Sequence, residues 1–395
     1  MSIAPKALAD PWDERSVRRG PAFASRQRLA IVIVAAIAVA AWAANSSRPW
    51  QSWSHDAFWR IDRPLADPAP IVADGEFDAY ATSAPECFPG GCATYWVPRY
   101  TSRSLTGTAA LQADAMPDRP PWVDPGDRAI WGPSVARIGA TYVMYFAATA
   151  AGGPNRGDKC IGTATSPTPT GPFQAAPGPM VCADPGFWAL DPYAAADGTR
   201  WYLLWREDDA AHATGRIVGA QLSADGVGLG GAAKRTILTG RFAWEDGSRH
   251  GPPVPSTSGR RLPAVSGRKP AGIGPIENPA VARDPDTGQW LLTWSANRWD
   301  TADYATGLAT CSGPLGPCRV VSRNRPWLRT SHDPSIGTNA SFTGAGGLSF
   351  LTAPDGHLYA MFAAYRGSGP PDDLGRVGWV YRVVVARGTY VLTEF

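Results

Sequence analysis

Beyond residue 45 the chain has no stretch of useful length in which apolar residues recur at helical spacing. That absence disfavours alternating strand–helix architectures, and with them the strand-to-helix turns that cradle phosphates. The glycine-rich piece at residues 226–231 lacks the helix that a nucleotide loop requires. Unbalanced positive charge is missing as well. The formal net charge of +3 resides in residues 1–28, where Lys6, Arg15, Arg18, Arg19, Arg26 and Arg28 outnumber Asp10, Asp13 and Glu14. Past them acids and bases cancel, which leaves no basic face for a nucleic-acid partner. Metal signatures are also scarce. None of the six cysteines stands at CxxC spacing, and His212 and the His332-Asp333 step have no partners at metal or catalytic spacing.

What the chain has in quantity is glycine, proline and tryptophan, at 43, 38 and 17 residues, and so many turn formers among aromatics favour many short strands. Residues 186–209, GFWALDPYAAADGTRWYLLWREDD, set the pattern: an Asp-Pro step, a short strand, an Asp197-Gly198 turn and a second strand rich in Trp, Tyr and Leu. Asp or Asn before Gly between two apolar runs signals a hairpin, because these residues accept the positive φ of a tight turn. The order of extended segment, glycine turn, aromatic strand and Gly-Ala-rich strand occurs five times, around Asp74-Gly75, Gly139, Asp197-Gly198, Thr287-Gly288 and Asp355-Gly356. Its spacing is irregular and longer than in common propeller repeats, so insertions are expected, with residues 247–274 as one of them. Four-stranded units repeated radially protect their sheet edges. The expected fold is all-β, a five-bladed β-propeller over residues 67–395.

Residues 29–44, LAIVIVAAIAVAAWAA, are uninterrupted apolar sequence directly after Arg26 and Arg28. Positive charge before an apolar run marks an export signal whose N-terminus stays in the cytoplasm. The expectation is a basic cytoplasmic tail over residues 1–28, a transmembrane or signal-anchor helix over residues 29–44, and a Trp-rich linker over residues 45–66. Ala41-Trp42-Ala43 offers a cleavage site, but the long charged segment ahead favours an uncleaved anchor in the cell membrane, single-pass with an extracellular C-terminal domain. Cleavage would make the protein secreted. The cysteines fall as close pairs, Cys87 with Cys92, Cys160 with Cys182 and Cys311 with Cys318, which in an exported chain reads as three short disulfide staples.

Three acids open units in similar ways: Asp67 in LADPAP, Asp191 in ALDPYA and Glu277 in PIENPA. Each is expected just ahead of the first strand of its hairpin, near the propeller axis. Converging carboxylates suit glycosidic bond hydrolysis, where one donates a proton to the leaving oxygen and another activates water. The third raises the acid's pKa by like-charge repulsion or orients it. Asp-Pro is a common turn opener, which is the structural alternative for Asp67 and Asp191. Glu277 stands in apolar surroundings, where an unpaired carboxylate is costly and therefore points to function.

These residues carry a resemblance to glycoside hydrolase family 43. Its marks are Ala66-Asp67-Pro68, Ile130-Trp131-Gly132-Pro133-Ser134-Val135 in place of the family's Trp-Ala-Pro-Asp-Val, Leu190-Asp191-Pro192 with Asp197-Gly198, and Ile276-Glu277-Asn278-Pro279 for the family's Glu-Gly-Pro. The phrases IGTATSPTPTGPF (residues 161–173) and YATGLATCSGPLGPC (residues 304–318) resemble family strands that close with Gly-Pro. The resemblance implies a five-bladed propeller enzyme acting on arabinose- and xylose-containing glycans with inversion, Asp67 as general base, Asp191 as pKa modulator and Glu277 as general acid. Family members often have Gly-His near an axial calcium, where Gly346-Gly347 stands here. No cofactor or metal is therefore expected.

Aromatic faces stack on sugar rings, which makes Trp131, Trp299 and Tyr304 candidate platforms, while Trp205, lying mid-strand, is expected in the core. Asn297 and Arg298 follow an aromatic strand and are candidates for bonding substrate hydroxyls. The reading is a monomeric, cell-surface, membrane-anchored glycoside hydrolase, acting on the α-L-arabinofuranosyl or β-D-xylosyl ends of a carbohydrate substrate. The competing readings are a non-catalytic carbohydrate-binding propeller and a scaffold that presents its blades to protein partners.

Overall fold

Five sheets follow one another along the chain, each begun by one of the glycine-turn repeats. A computed structural model describes residues 65–88, 91–105, 108–127, 129–209, 212–240, 242–245, 276–331, 336–337, 342–367 and 375–394. The expected tail and anchor, the linker up to residue 64, His332-Asp333 and the insertion at 247–274 lie outside the described residues. Among the described residues no helix is long and apolar enough to cross a membrane.

Blade I contains β1 (Ala69–Ala73), β2 (Glu76–Tyr80), an added hairpin of β3 (Ala84–Phe88) and β4 (Gly91–Tyr95), then β5 (Arg99–Ser102) and β6 (Ala110–Leu111). Blade II follows with β7 (Trp131–Ile138), β8 (Thr141–Thr149), β9 (Lys159–Ser166), β10 (Gln174–Ala175) and β11 (Val181–Cys182). Blade III has β12 (Ala189–Asp197), β13 (Arg200–Asp209), β14 (His212–Gln221) and β15 (Arg235–Thr239). Blade IV has β16 (Ile276–Arg283), β17 (Trp290–Ala296), β18 (Ala305–Cys311) and β19 (Cys318–Val320). Blade V is formed by β20 (Ile336–Gly337), β21 (Phe342–Thr352), β22 (Leu358–Arg366), β23 (Arg376–Ala386) and β24 (Thr389–Thr393). Within each blade successive long strands pair antiparallel, and among the described residues β20 alone joins its sheet in parallel, at the outer edge beside β24.

The turn residues do what their chemistry allows. Asp74 and Gly75 both have positive φ, at 52° and 80°, the geometry of a two-residue hairpin turn whose twist matches the flanking strands. The aromatic second strands supply the material between blades. Phe146 packs with Tyr80 and Val97 between blades I and II, Trp205 with Val143 and Tyr145 between II and III, Trp294 with Leu204 and Ile217 between III and IV, and Phe362 with Ala280 and Leu291 between IV and V. Each such side chain, once buried, stabilises the fold by roughly 1.5–3 kcal/mol. Trp205 is fully buried, as its mid-strand position indicates.

Two of the cysteine staples are formed, Cys160–Cys182 between β9 and β11 and Cys311–Cys318 between β18 and β19. Cys87 and Cys92 stand opposite each other in the β3–β4 register. Among the described residues no strand of blade I enters the sheet of blade V. The chain instead returns at Leu65, whose buried backbone N–H donates to the Arg376 carbonyl of β23 at 2.8 Å.

Candidate active site

The inner strands β7, β12, β16 and β21 share a defect at one end. Pairing with the second strand holds at Trp131, Leu190, Glu277 and Gly346, breaks over the next two residues, and resumes at Ser134, Tyr193, Ala280 and Ser349. The first residue of every break is left-handed: Gly132 at φ 51°, Asp191 at φ 55°, Asn278 at φ 48° and Gly347 at φ 62°. In blade I, Asp67 at φ 52° takes the same place just before β1. Four of the five are followed by proline, whose lack of an N–H is harmless in a bulge. The five bulges line one pocket, with Asp67, Asp191, Asn278 and Tyr193 in its wall.

This register corrects two expectations. Asp191 and Glu277 lie inside β12 and β16, not ahead of them, because each strand starts before its bulge. Glu277 is also not the counterpart of Asp67 and Asp191. That position belongs to Asn278, and Glu277 stands one residue earlier, level with Trp131.

The ring is bound together across the blades. Asp67 accepts from Thr82 Oγ1 at 2.6 Å and from Asn278 Nδ2 at 2.7 Å. The backbone N–H of Asn278 donates to Asp191 Oδ2 at 3.0 Å. Glu277 accepts from the Tyr304 hydroxyl at 2.7 Å and from Arg206 at 3.1 Å, and the same hydroxyl lies 3.2 Å from Asn278 Oδ1. Arg206 is held in turn by both oxygens of Asp208, at 3.0 and 3.1 Å. Glycine makes the crowding possible. A Cβ on Gly347 would lie 2.9 Å from Asp67 Oδ1, and one on Gly132 3.1 Å from Asp191 Oδ1.

Burial dominates the electrostatics. It raises Asp191 well above the ordinary carboxylate range, with the charges of Glu277 and Asp67 adding to the effect and Arg206 opposing it. Glu277 is raised too, by burial first, although Arg206 and the Tyr304 hydrogen bond pull it down. Tyr304 is pushed far up by burial and by Glu277, so it remains a hydroxyl donor. Arg206 keeps its charge: burial opposes it, and Asp208, Glu277 and Asp191 more than compensate. A protonated acid, a second raised carboxyl and a third carboxylate fed only by donors are the parts that acid–base hydrolysis uses.

The model of the glycosyl hydrolases family 43 matches residues 61–389 of this sequence. The chain belongs to that family. Family-43 membership makes the protein a glycoside hydrolase. Solved structures agree on the fold. A thermostable family-43 glycoside hydrolase matches with a TM-score of 0.63 at 21% identity, over 83% of this chain and 92% of its own. An endo-1,4-beta-xylanase from Bacteroides thetaiotaomicron matches at 0.60 and 19%, over 84% and 95%. An alpha-L-arabinofuranosidase from Lactobacillus brevis also gives 0.60 and 19%, over 86% and 97%. No curated protein matches the sequence.

The family-43 pocket here is not lined by the five expected substrate contacts. Asn297 is buried, and its amide donates to the Trp244 and Asp303 carbonyls at 3.0 and 2.9 Å, so it ties loops together instead of facing sugar. Tyr304 is 1% exposed; its ring lies against Gly346, where a Cβ would come within 2.2 Å, and under the Arg376 guanidinium at 4.7 Å. It is a partner of Glu277, not a stacking platform. Arg298 is paired with Asp300, and Trp299 beside it is 42% exposed. Trp131 has the Lys159 ammonium 4.0 Å over its ring and Trp188 at its edge. Where a family histidine would approach an axial calcium, Gly346 and Gly347 offer no side-chain donor, and that site does not fit the residues present. Among the described residues no cluster of His, Cys, Asp and Glu could hold a metal.

Sequence reasoning missed Arg206, Thr82 and the bridging role of Asn278. Arg206 left a signal, a charge in the middle of the aromatic run YLLWRED. Asn278-Pro279 left another, since it aligns by its proline with Asp191-Pro192 and Gly132-Pro133.

Proposed function

We propose that this family-43 protein is an inverting hydrolase that releases single α-L-arabinofuranosyl or β-D-xylosyl units from the ends of glycans. The observation that carries the reading is that Asp67 and Asp191 share the wall of one axial pocket, with Glu277 one residue behind it and close enough for its charge to act on Asp191. Asp67, receiving hydrogen bonds from Thr82 and Asn278, accepts a proton from water. The water oxygen attacks the anomeric carbon from the far side, and the glycosidic C–O bond breaks. Glu277, its carboxyl raised by burial, gives its proton to the departing oxygen. The charge of Asp67 favours the protonated form of Glu277, and Asp191, itself raised well above the ordinary range, stands beside the pair and holds the Asn278 backbone N–H. The hydrogen-bond path from Asp67 to Glu277 runs through Asn278 and Tyr304, so the two acids do not share a proton. That fits inversion, which needs about 6.5–9.5 Å between them for the water.

The test is hydrolysis of 4-nitrophenyl α-L-arabinofuranoside and β-D-xyloside, and of the corresponding disaccharides, by the full chain and its variants. Asp67→Asn and Glu277→Gln are each expected to lose about 100- to 10,000-fold in kcat/KM. For Glu277→Gln the loss is smaller on the nitrophenyl substrates, whose leaving group needs little protonation. Sugar binding with no hydrolysis by the unaltered chain would favour the non-catalytic alternative. The apolar run at residues 29–44 and the two formed disulfides support placement on the outer face of a membrane, read by fractionation.

A further inference from the structure

Family resemblance sets a glycine after the acid, and this chain has Asn278 there. The backbone explains the usual glycine: φ is 48°, a left-handed conformation that a side chain adopts at a cost. Asn is one of the few residues that tolerate it. The side chain then makes contacts that glycine cannot. Its Nδ2 donates to Asp67 Oδ1 at 2.7 Å, and its Oδ1 lies 3.2 Å from the Tyr304 hydroxyl, which is 2.7 Å from Glu277 Oε1. A tyrosine has one hydroxyl proton to give. Glu277 and Asn278 compete for it.

We propose that Asn278 is a positioning residue that couples the two acids of the reaction, holding Asp67 with its amide N–H while drawing the Tyr304 proton away from Glu277 with its carbonyl oxygen. The proposal rests on the assignment of Asp67 as base and Glu277 as acid. A donor on Asp67 Oδ1 fixes the direction in which the carboxylate faces the pocket. Sharing the Tyr304 proton leaves Glu277 less well solvated as an anion and so favours the protonated form that the donor role requires. One side chain thereby orients the base and keeps the acid protonated to higher pH. The other groups facing the pair are Asp191 on β12, Arg206 and Asp208 on β13, and Arg376 on β23. None of these touches both acids by hydrogen bonds in the way Asn278 and Tyr304 together do.

Asn278→Gly tests it in the full chain, and the backbone there suits glycine, so the variant folds. Carboxyl-carbon NMR titration, with Asp67→Asn and Glu277→Gln to assign the two signals, reads the effect without any substrate. The Asp67 signal is expected to change its chemical shift on losing the amide donor, and the Glu277 signal to titrate at lower pH than in the unaltered chain by roughly half to one pH unit. With a disaccharide substrate the basic limb of the kcat/KM profile moves down by the same amount. Two unmoved signals would overturn the proposal and make Asn278 a space-filling residue, and movement of one signal alone would overturn the coupling. Loss of the base and acid assignment would instead show as retained activity in Asp67→Asn or Glu277→Gln, a result independent of the titration.

Discussion

The second and third blades bend their inner strands at the same place, Gly132 at φ 51° and Asp191 at φ 55°, each followed by proline, yet only the third presents a carboxylate there. The first and fifth repeat the contrast with Asp67 and Gly347. In both pairs the glycine is the near neighbour of the acid, at distances that a methyl group would contest. The bend recurs in every blade, while the chemistry alternates because five side chains do not fit around one axis. Asn278, between Asp191 and Asp67, takes the remaining polar place and bonds to both.

The strongest way to break this pairing is a methyl group on the glycine side. Gly347→Ala presses on the base, and a displacement of about an ångström is expected to lower kcat/KM about 100-fold. Gly132→Ala presses on Asp191 and is expected to cost about 10-fold in the same assay, since a group that tunes tolerates misplacement better than one that takes the proton. Both variants lose about 1 kcal/mol in denaturant titration from a Cβ at positive φ. Equal losses of activity would erase the distinction between the two acids.

Asp191→Asn turns the contrast into a stability measurement. In the folded protein Asp191 holds its proton to higher pH than in the unfolded chain, chiefly because it is buried. Above the ordinary Asp range of about pH 4 the unfolded chain releases that proton more readily, so the folded state is penalised. The Asn variant escapes the penalty. It is expected to melt higher than the unaltered protein at neutral pH, with the gap closing as pH falls, while kcat/KM drops about 10-fold. Matching melting temperatures at pH 7 would show that Asp191 carries no such burden.

Tyr304→Phe gives the smallest effect. Glu277 loses a donor to its ionised form, so the basic limb of the kcat/KM profile is expected to move up by roughly half to one pH unit, with less than about 10-fold lost at the optimum. A basic limb that stays in place would detach Tyr304 from the acid.

The five units were legible because positive φ restricts a turn to few residue types, and Asp74-Gly75 and Asp197-Gly198 announce themselves. Asp67 and Asp191 were legible for the same reason, as Asp-Pro steps at the heads of their hairpins. The offset of Glu277 was not, because an acid one residue from the bulge looks the same in a string as an acid on it, and only pairing with Ser295 decides the register. Arg206 and Glu277 are 71 positions apart, and Asn278 and Asp67 are 211 apart. Contacts of that kind exist only once the blades have closed. Tyr304 was misjudged because an aromatic at a loop end suggests a stacking surface, and the space beside Gly346 that buries it has no local signature.

The chain's return at Leu65 gives the site a mechanical weak point. The N–H of Leu65 clasps the last blade at Arg376, two residues before Asp67, and Asp67 itself presses on Gly347 of that blade. The proposed base is therefore mounted on the joint of the ring, whereas Asp191 and Glu277 belong to adjoining blades joined by a shared apolar layer. Slackening of that joint would part Asp67 from Glu277 while the blades themselves stayed intact, so activity is expected to fade at the hinge of the circle before the sheets melt.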